Sequence, residues 1–285
     1  MLKAVSTVFL AILASAVPQH AQARPAAHRP RCAELPGANE LLASGKHIIV
    51  FGEMHGTAET PALFADFVCA AAKAGPVVVG LEIDHEEQGA IDAFLASNGG
   101  AAALARLRAT DHFEHVPDGR SSLAMLAMIE RLRAMKSSGL PIRVEAFVPR
   151  VPESASQTPY EKAMAERWRT SIAAMPGARF VGLVGNLHAL RKPVYGFEPA
   201  AMHVPPGDIL TLTYAQLGGA AWNCQADGCK PHSMGDPRPL IARGILQPAA
   251  PGSYDFLYSP GSAFTASPPV NPHAADPPSP APKQK

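Results

Sequence analysis

The sequence has no excess of either charge. Its 25 Lys and Arg residues stand against 24 Asp and Glu residues, and the numbers are equal once Lys3, near the amino terminus, is set aside. Proteins that attract nucleic acid or anionic lipid have a basic patch or stripe. The balance therefore argues against nucleic acid as a partner, and a small-molecule or peptide substrate is the expected ligand.

Three catalytic signatures are also missing. The chain contains no Gly-x-Ser-x-Gly elbow, no phosphate-binding loop and no dinucleotide fingerprint. Any hydrolysis by this protein therefore fits attack by an activated water better than attack by a serine nucleophile.

The amino terminus lacks an apolar run long enough for a membrane span, which needs roughly 20 residues. Residues 1–23 instead have the pattern of a cleaved signal peptide. Lys3 supplies a positive start, residues 4–17 are apolar, and Ala21-Gln22-Ala23 is a cleavage site of the A-x-A type. We predict a secreted or periplasmic protein whose mature chain begins near Arg24 and has no stable membrane span.

The four cysteines are an even number, which in an exported chain favours disulfides. Cys224 and Cys229 enclose an Asp-Gly turn signal, which predicts a local bridge between them. Cys32 and Cys69 remain as the second pair, although Cys69 lies in an apolar run and is also explained as a small buried residue. A zinc site is a weak interpretation, because no second closely spaced cysteine motif exists.

Strand-like and helix-like stretches alternate along residues 24–266. The five predicted strands are His47–Phe51, Val77–Ile83, Pro141–Val148, Arg179–Val184 and Ile209–Tyr214. Strands separated by helices predict a single α/β domain with a mainly parallel central sheet, flanked by helices on both faces. From Pro268 onward seven prolines fall within 18 residues, so 267–285 is predicted to be a disordered tail.

Two of the predicted strands run into the same pattern, Gly-x-x-His. The first gives Gly52-Glu53-Met54-His55, and the second gives Gly185-Asn186-Leu187-His188. In open α/β sheets ligands bind at the carboxyl ends of the strands. Glu82 follows the wholly apolar strand between them, so we expect Glu53, His55, Glu82 and His188 to line one pocket at that edge.

These residue types support two kinds of chemistry, and the sequence leaves both open. His55, Glu82 and His188 suit a divalent metal with open positions, which would acidify a bound water. Alternatively, a histidine oriented by a carboxylate is a general base for water without metal. Arg120 would then steady an oxyanion or a substrate carboxylate, unless it is only a salt-bridge residue at a helix start.

The paired motifs, Gly52-Glu53-Met54-His55-Gly56-Thr57 and Gly185-Asn186-Leu187-His188-Ala189, resemble those of a known superfamily. It joins erythromycin esterases, ChaN-type haem-binding uptake proteins and the Tiki/TraB proteases. Further similar positions are Leu81-Glu82, Gln88 with Asp92, and Met164-Ala165. The resemblance implies an α/β fold with a polar site at the carboxyl edge of the sheet. The spacing of two between Glu53 and His55 is closer to the haem-uptake branch.

Two classes of function follow as expectations. The first is an exported hydrolase of ester or amide bonds that acts by water attack with Glu53, His55, Glu82, His188 and Arg120. The second is a ChaN-like protein that binds haem or an iron ligand without catalysis. We favour hydrolysis, because acids and histidines outnumber the soft or aromatic axial ligands that haem would need.

Overall fold

The computed structural model describes residues 32–152, 154, 156–246 and 253–274. The predicted signal peptide lies outside them. The strands are β1 Ile48–Glu53, β2 Val77–Asp84, β3 Ile142–Val148, β4 Arg179–Gly185, β5 Ile209–Tyr214, β6 Ala220–Gln225, β7 Gly228–Ser233, β8 Gly244–Leu246 and β9 Phe256–Ser259. The α-helices are α1 Ala38–Ala43, α2 Glu59–Ala74, α3 Gln88–Ala96, α4 Ala101–Arg108, α5 Asp111–His115, α6 Leu123–Ser137 and α7 Thr158–Ala173. No helix in the described part of the chain is long and apolar enough to cross a membrane.

Seven strands form one sheet in the order β3-β2-β4-β1-β5-β9-β8. All neighbours in it are parallel except β8, which runs antiparallel to β9. The predicted mainly parallel α/β sheet is therefore confirmed. The order places the carboxyl ends of β2, β4 and β1 side by side, and these are the strands that carry the motif residues.

The apolar run of β1 is buried on both faces of the sheet, as is typical of a central parallel strand. Ile49 and Phe51 face a large core beneath α1, α2, α3, α4 and α6. Ile48 and Val50 face a second core, which α7 covers with Trp168. Helices thus flank both faces of the sheet, as predicted.

Both predicted disulfides are present. Cys32 and Cys69 join the segment before α1 to α2, with Cα atoms 5.5 Å apart. Cys224 and Cys229 lie opposite each other in the antiparallel hairpin of β6 and β7, with Cα atoms 3.9 Å apart. The Asp-Gly signal between them therefore marks a two-stranded hairpin, where the sequence suggested only a closed loop.

The segment predicted to be a disordered tail does not begin at 267. Ser267 is buried, and its Oγ accepts a hydrogen bond from the backbone N–H of Ala124 in the first turn of α6. Leu123 N–H donates to the carbonyl of Pro268, and Val270 N–H donates to that of Ser121. Residues 267–274 therefore pack on the start of α6, because its unpaired backbone groups need partners. Residues 275–285 lie outside the described part.

Candidate active site

Adjacent strand ends bring four of the predicted site residues together. Glu53 ends β1, Glu82 lies near the end of β2, and His188 follows the end of β4, while His55 lies in the turn after β1. Gly185, the last residue of β4, pairs with Glu53 in the ladder between the two strands. The parallel arrangement therefore delivers all four side chains to one edge of the sheet.

Glu82 lies between the two histidines. Its Oε2 is 3.5 Å from Nε2 of His55, and its Oε1 is 3.7 Å from Nε2 of His188. The backbone N–H of Gly185 donates to Oε2 at 2.7 Å, which fixes the carboxylate. One carboxylate thus connects the two imidazole rings.

His55 is held from its other side by Glu53. Its Nδ1 is 2.9 Å from Oε1 of Glu53, whose side chain is almost wholly buried. Oε2 of Glu53 has no hydrogen-bond partner among the described residues. The pair fixes the orientation of the His55 ring and directs Nε2 towards Glu82.

His188 has a matching partner that the sequence interpretation missed. Its Nδ1 is 2.9 Å from both carboxylate oxygens of Glu161, which is fully buried in the first turns of α7. Glu161 also accepts hydrogen bonds from the side chain of Gln157 and the backbone N–H of Ala200. Glu161 is therefore a fixed, hydrogen-bonded carboxylate that orients the second histidine.

A signal for Glu161 is present in the sequence. Glu161, Met164, Ala165 and Trp168 follow the i, i+3, i+4, i+7 spacing of the buried face of a helix. An acid at an apolar position of such a face is rarely buried without a partner. This mismatch, rather than any motif, marks the residue.

The charges of the site reinforce one another. Burial by itself would lower the pKa of His55, but the charge of Glu82 and the hydrogen bond with Glu53 outweigh it and raise that pKa to about 10. Burial likewise opposes the charge on His188, yet Glu82 and Glu161 raise its pKa. The neighbouring carboxylates therefore favour the charged form of both rings.

The two acids next to His55 shift in opposite directions. Burial raises the pKa of Glu53, and its hydrogen bond with His55 offsets that effect only in part. Burial also acts to raise the pKa of Glu82, but the charges of His55 and His188 outweigh it and hold that pKa well below its usual range. Glu82 therefore favours its ionised form beside the two histidines.

Arg120 lies near the site but is already paired. Its Nε and Nη2 donate to the carboxylate of Asp118 in a two-point ion pair, and Nη1 takes no part in that pair. Burial opposes the charge on Arg120, but Asp118 outweighs it and raises the pKa of the guanidinium. The cation lines the same cleft as Glu82.

Tyr160 lies beside His188, and the centroids of the two rings are 6.3 Å apart. Burial, aided by the negative charge of Glu82, raises the pKa of its phenol. The phenol therefore stays protonated and is able to donate a proton or a hydrogen bond beside His188.

Open space adjoins the site on two sides. A cleft of about 940 Å³ has Glu82 and Arg120 in its wall, together with further charged side chains of the segments after β2 and β3. A smaller recess of about 280 Å³ is lined by Glu53, His55 and His188, and the hairpin contributes Asn223 and Cys224 to it. The smaller recess therefore gives a substrate access to both histidines, and the large cleft reaches the site at Glu82.

The predicted metal ligands are close together, but their donor atoms face carboxylates. Nδ1 of each histidine contacts Glu53 or Glu161, and Nε2 of each faces Glu82. No group of three or more His, Cys, Asp or Glu side chains in the described ranges is arranged to hold a metal ion.

Comparison with solved structures identifies the fold. A mutant of the erythromycin esterase EreC in its open conformation matches with a TM-score of 0.61 at 12% identity, over 82% of this chain and 94% of that chain. The type III effector HopBA1 matches with a TM-score of 0.48 at 15% identity, over 80% of this chain and 94% of that chain. No family model matches the sequence, and no curated protein matches it. The protein thus has an α/β fold like that of the erythromycin esterase.

Proposed function

We propose that the protein hydrolyses an ester or amide bond by direct attack of water at the site formed by His55, Glu82 and His188. The observation that carries the proposal is the pair of carboxylate-held histidines, Glu53 with His55 and Glu161 with His188, joined through Glu82. A histidine fixed by a carboxylate is the usual arrangement for general acid–base catalysis. The esterase-like fold is consistent with the same chemistry.

In the first step, His55 in its neutral form takes a proton from water as the water oxygen attacks the carbonyl carbon. The carbonyl π bond breaks, and its electron pair becomes the oxyanion of a tetrahedral intermediate. The imidazolium formed at His55 is stabilised by Glu53 and Glu82, which contact its two nitrogens. Arg120 lies in the wall of the large cleft that Glu82 also lines, and its Nη1 supplies positive charge for the oxyanion.

In the second step, the bond to the leaving oxygen or nitrogen breaks as the carbonyl re-forms. His188 is suited to give the leaving group its proton, because Glu82 and Glu161 favour the protonated form of its ring. The phenol of Tyr160 lies beside that ring and is a second proton donor. The products are an acid and an alcohol or amine.

Haem binding, the alternative class, is not supported by the surroundings of the site. Haem needs a broad apolar slot with an axial ligand at its mouth. The larger cleft instead has many charged side chains in its wall: Glu82, Asp84, Glu86, Glu87, Asp111, Arg120 and Arg150. A compact polar reaction site fits this lining better.

Export of the protein is part of the proposal. The sequence pattern of residues 1–23 predicts a signal peptide, and the two disulfides are of the kind that persists in oxidising compartments. Sequencing of the mature amino terminus should place the cleavage before Arg24.

The experiment is turnover of a panel of activated esters and peptides by the wild type and two histidine variants. His55→Ala should lower kcat/KM by about 10²–10⁴-fold, the usual contribution of a general base. His47→Ala is the matched control, because His47 is exposed and immediately precedes the opposite end of β1. Dialysis against a chelator should leave the rate unchanged. Wild-type turnover of no member of the panel, or equal rates for all three proteins, would contradict the proposal.

A further inference from the structure

The turn Val194-Tyr195-Gly196-Phe197 holds a tyrosine in an unusual backbone conformation. Tyr195 has φ 49° and Gly196 has φ 80°, and Tyr195 is the single non-glycine residue with positive φ in the described part of the chain. Val194 and Phe197 exchange both backbone hydrogen bonds at 3.0 Å, so the turn has two central residues. Positive φ at both positions is typical of a type I′ turn, for which Asn-Gly is the favoured sequence.

The side chain of Tyr195 gains no burial that would offset this strain. It is 85% exposed, the most exposed large hydrophobic side chain in the described part of the chain. The turn itself is anchored, because Phe197 is buried and the N–H of Glu198 donates to Thr158 Oγ1 at the start of α7. A strained, exposed residue on a fixed turn calls for a functional reason rather than a packing reason.

Tyr195 stands at a recess that leads to the candidate active site. The recess has a volume of about 410 Å³ and is lined by Ser156, Gln157, Leu187, His188, Tyr195, Gly196 and Phe197. We call it the Tyr195 recess. Its wall includes His188, and the partly exposed Leu187 adjoins that histidine.

The lining of the Tyr195 recess differs from that of the large cleft. His188 is its one ionisable side chain besides the phenol of Tyr195, and Nδ1 of that histidine is occupied by Glu161. Tyr195, Phe197 and Leu187 supply apolar and aromatic surface. Apart from His188, such a wall offers a charged group no counter-ion, and it suits a flat ring that stacks on aromatic faces.

We propose that the Tyr195 recess binds a planar ring of the substrate, which stacks on the phenol of Tyr195 while the scissile bond reaches His188. The inference rests on the proposed hydrolase function, which it extends to esters or amides that carry an aromatic ring on one side of the bond.

The test compares phenyl acetate with ethyl acetate, using proton release as the rate measurement. Tyr195→Asn should lower kcat/KM for phenyl acetate by about threefold to tenfold, mainly through KM, because a stacked aromatic pair contributes about that much. The ratio of variant to wild type for ethyl acetate should stay near one, and Tyr195→Phe should retain the wild-type rate on both esters. Leu240→Asn, which changes an exposed leucine outside the recess, is the control.

Thermal unfolding of the same variants separates binding from folding. Asn is favoured at this turn position, so Tyr195→Asn should unfold at or above the wild-type temperature. A purely structural role for the tyrosine predicts the opposite.

A binding arm keeps the proposal testable if neither ester is hydrolysed. Saturation-transfer NMR should detect phenyl acetate bound to the wild type and to Tyr195→Phe, and a weaker signal with Tyr195→Asn. Binding without turnover would support the recess and contradict the hydrolase proposal. Equal signals for all proteins, no binding to the wild type, or an equal loss of rate on both esters would overturn the inference about the recess.

Discussion

At the scale of single residues, three carboxylates determine the orientation and charge of the two histidines. Glu53 and Glu161 each hold the Nδ1 side of one histidine, and Glu82 faces the Nε2 side of both. Without these acids, burial would favour neutral rings, so the carboxylates set both the orientation and the charge of the histidines. Glu161 has the most buried position of the three, and its role is the easiest to isolate.

Replacing Glu161 by glutamine tests whether the second histidine needs its carboxylate. Glu161→Gln removes a negative charge that raises the pKa of His188, so that pKa should fall. A proton donor contributes about 10²–10⁴-fold, and one that is less often protonated and no longer held by a carboxylate should lower kcat/KM by roughly tenfold or more. The measurements are ester hydrolysis and NMR titration of His188.

Glu166→Gln is the matched control, because Glu166 lies on the same helix α7 but is exposed and pairs with Arg169 on the surface. It should leave both the rate and the His188 titration unchanged. A lowered pKa of His188 with an unchanged rate in Glu161→Gln would remove His188 from the mechanism.

At the scale of elements, the hairpin of β6 and β7 forms part of the wall of the smaller recess, through Asn223 and Cys224. The backbone N–H of Trp222 in β6 donates to the carbonyl of Gly56, and the indole N–H of Trp222 donates to the carbonyl of Pro117. Gly56 has φ 79°, and a Cβ there would lie 2.0 Å from the carbonyl oxygen of Trp222. The glycine after His55 is therefore required by the close approach of the hairpin.

The two disulfides should contribute differently to stability. Cys32 and Cys69 are 37 residues apart, whereas Cys224 and Cys229 are five apart. The loop-entropy relation gives about 4 kcal/mol for the longer loop and about 2 kcal/mol for the shorter one. Replacing both cysteines of a pair by alanine should thus lower the free energy of unfolding more for Cys32 and Cys69, as measured by urea denaturation.

The hairpin pair should have the larger effect on function. Cys224 lines the smaller recess beside His55, and neither Cys32 nor Cys69 does. The Cys224/Cys229 double variant should therefore lose more of its ester hydrolysis rate than the Cys32/Cys69 double variant loses. An equal or greater loss of hydrolysis rate in the Cys32/Cys69 double variant would mean that the hairpin does not shape the site.

For the whole molecule, the carboxyl-terminal segment is a structural part of the domain up to residue 274. A chain that ends at Ala266 would lose the contacts of Ser267, Pro268 and Val270 with the start of α6. Each such hydrogen bond contributes about 1 kcal/mol, so this truncation should lower the unfolding temperature by several degrees. A chain that ends at Ala274 keeps these contacts and should unfold at a higher temperature than the chain that ends at Ala266. Identical unfolding of all three would show that the segment adds no stability.

Local sequence patterns predicted the centre of this fold better than its edge. The continuous apolar runs of β1 and β2 identified buried parallel strands, and parallel packing then implied that Glu53, Glu82 and the two histidines share one edge. β8 and β9 have three and four residues, and their place in the sheet depends on pairing with distant β5. Such short strands have too little periodicity to predict.

The missed site residues have a similar explanation. Glu161 reaches His188 from α7, on a different element and 27 residues away. Asp118, which binds Arg120, lies in a loop whose path is set by the hairpin and α6. Contacts of this kind come from tertiary packing, which a motif at a strand end does not encode.

The pH dependence of kcat/KM for ester hydrolysis tests the central claim most directly. His55 has a pKa of about 10 in the free protein, and it must be neutral to take a proton from water. Below that pKa, each unit of pH raises the neutral fraction about tenfold, while the phenol of Tyr160, whose pKa is raised, remains a protonated donor over the same range. After subtraction of the protein-free rate, the wild type and His47→Ala should therefore show kcat/KM that rises from pH 7 towards about pH 10, and His55→Ala should lack this rise. A wild-type kcat/KM that stays flat or falls over that range would contradict water activation by His55.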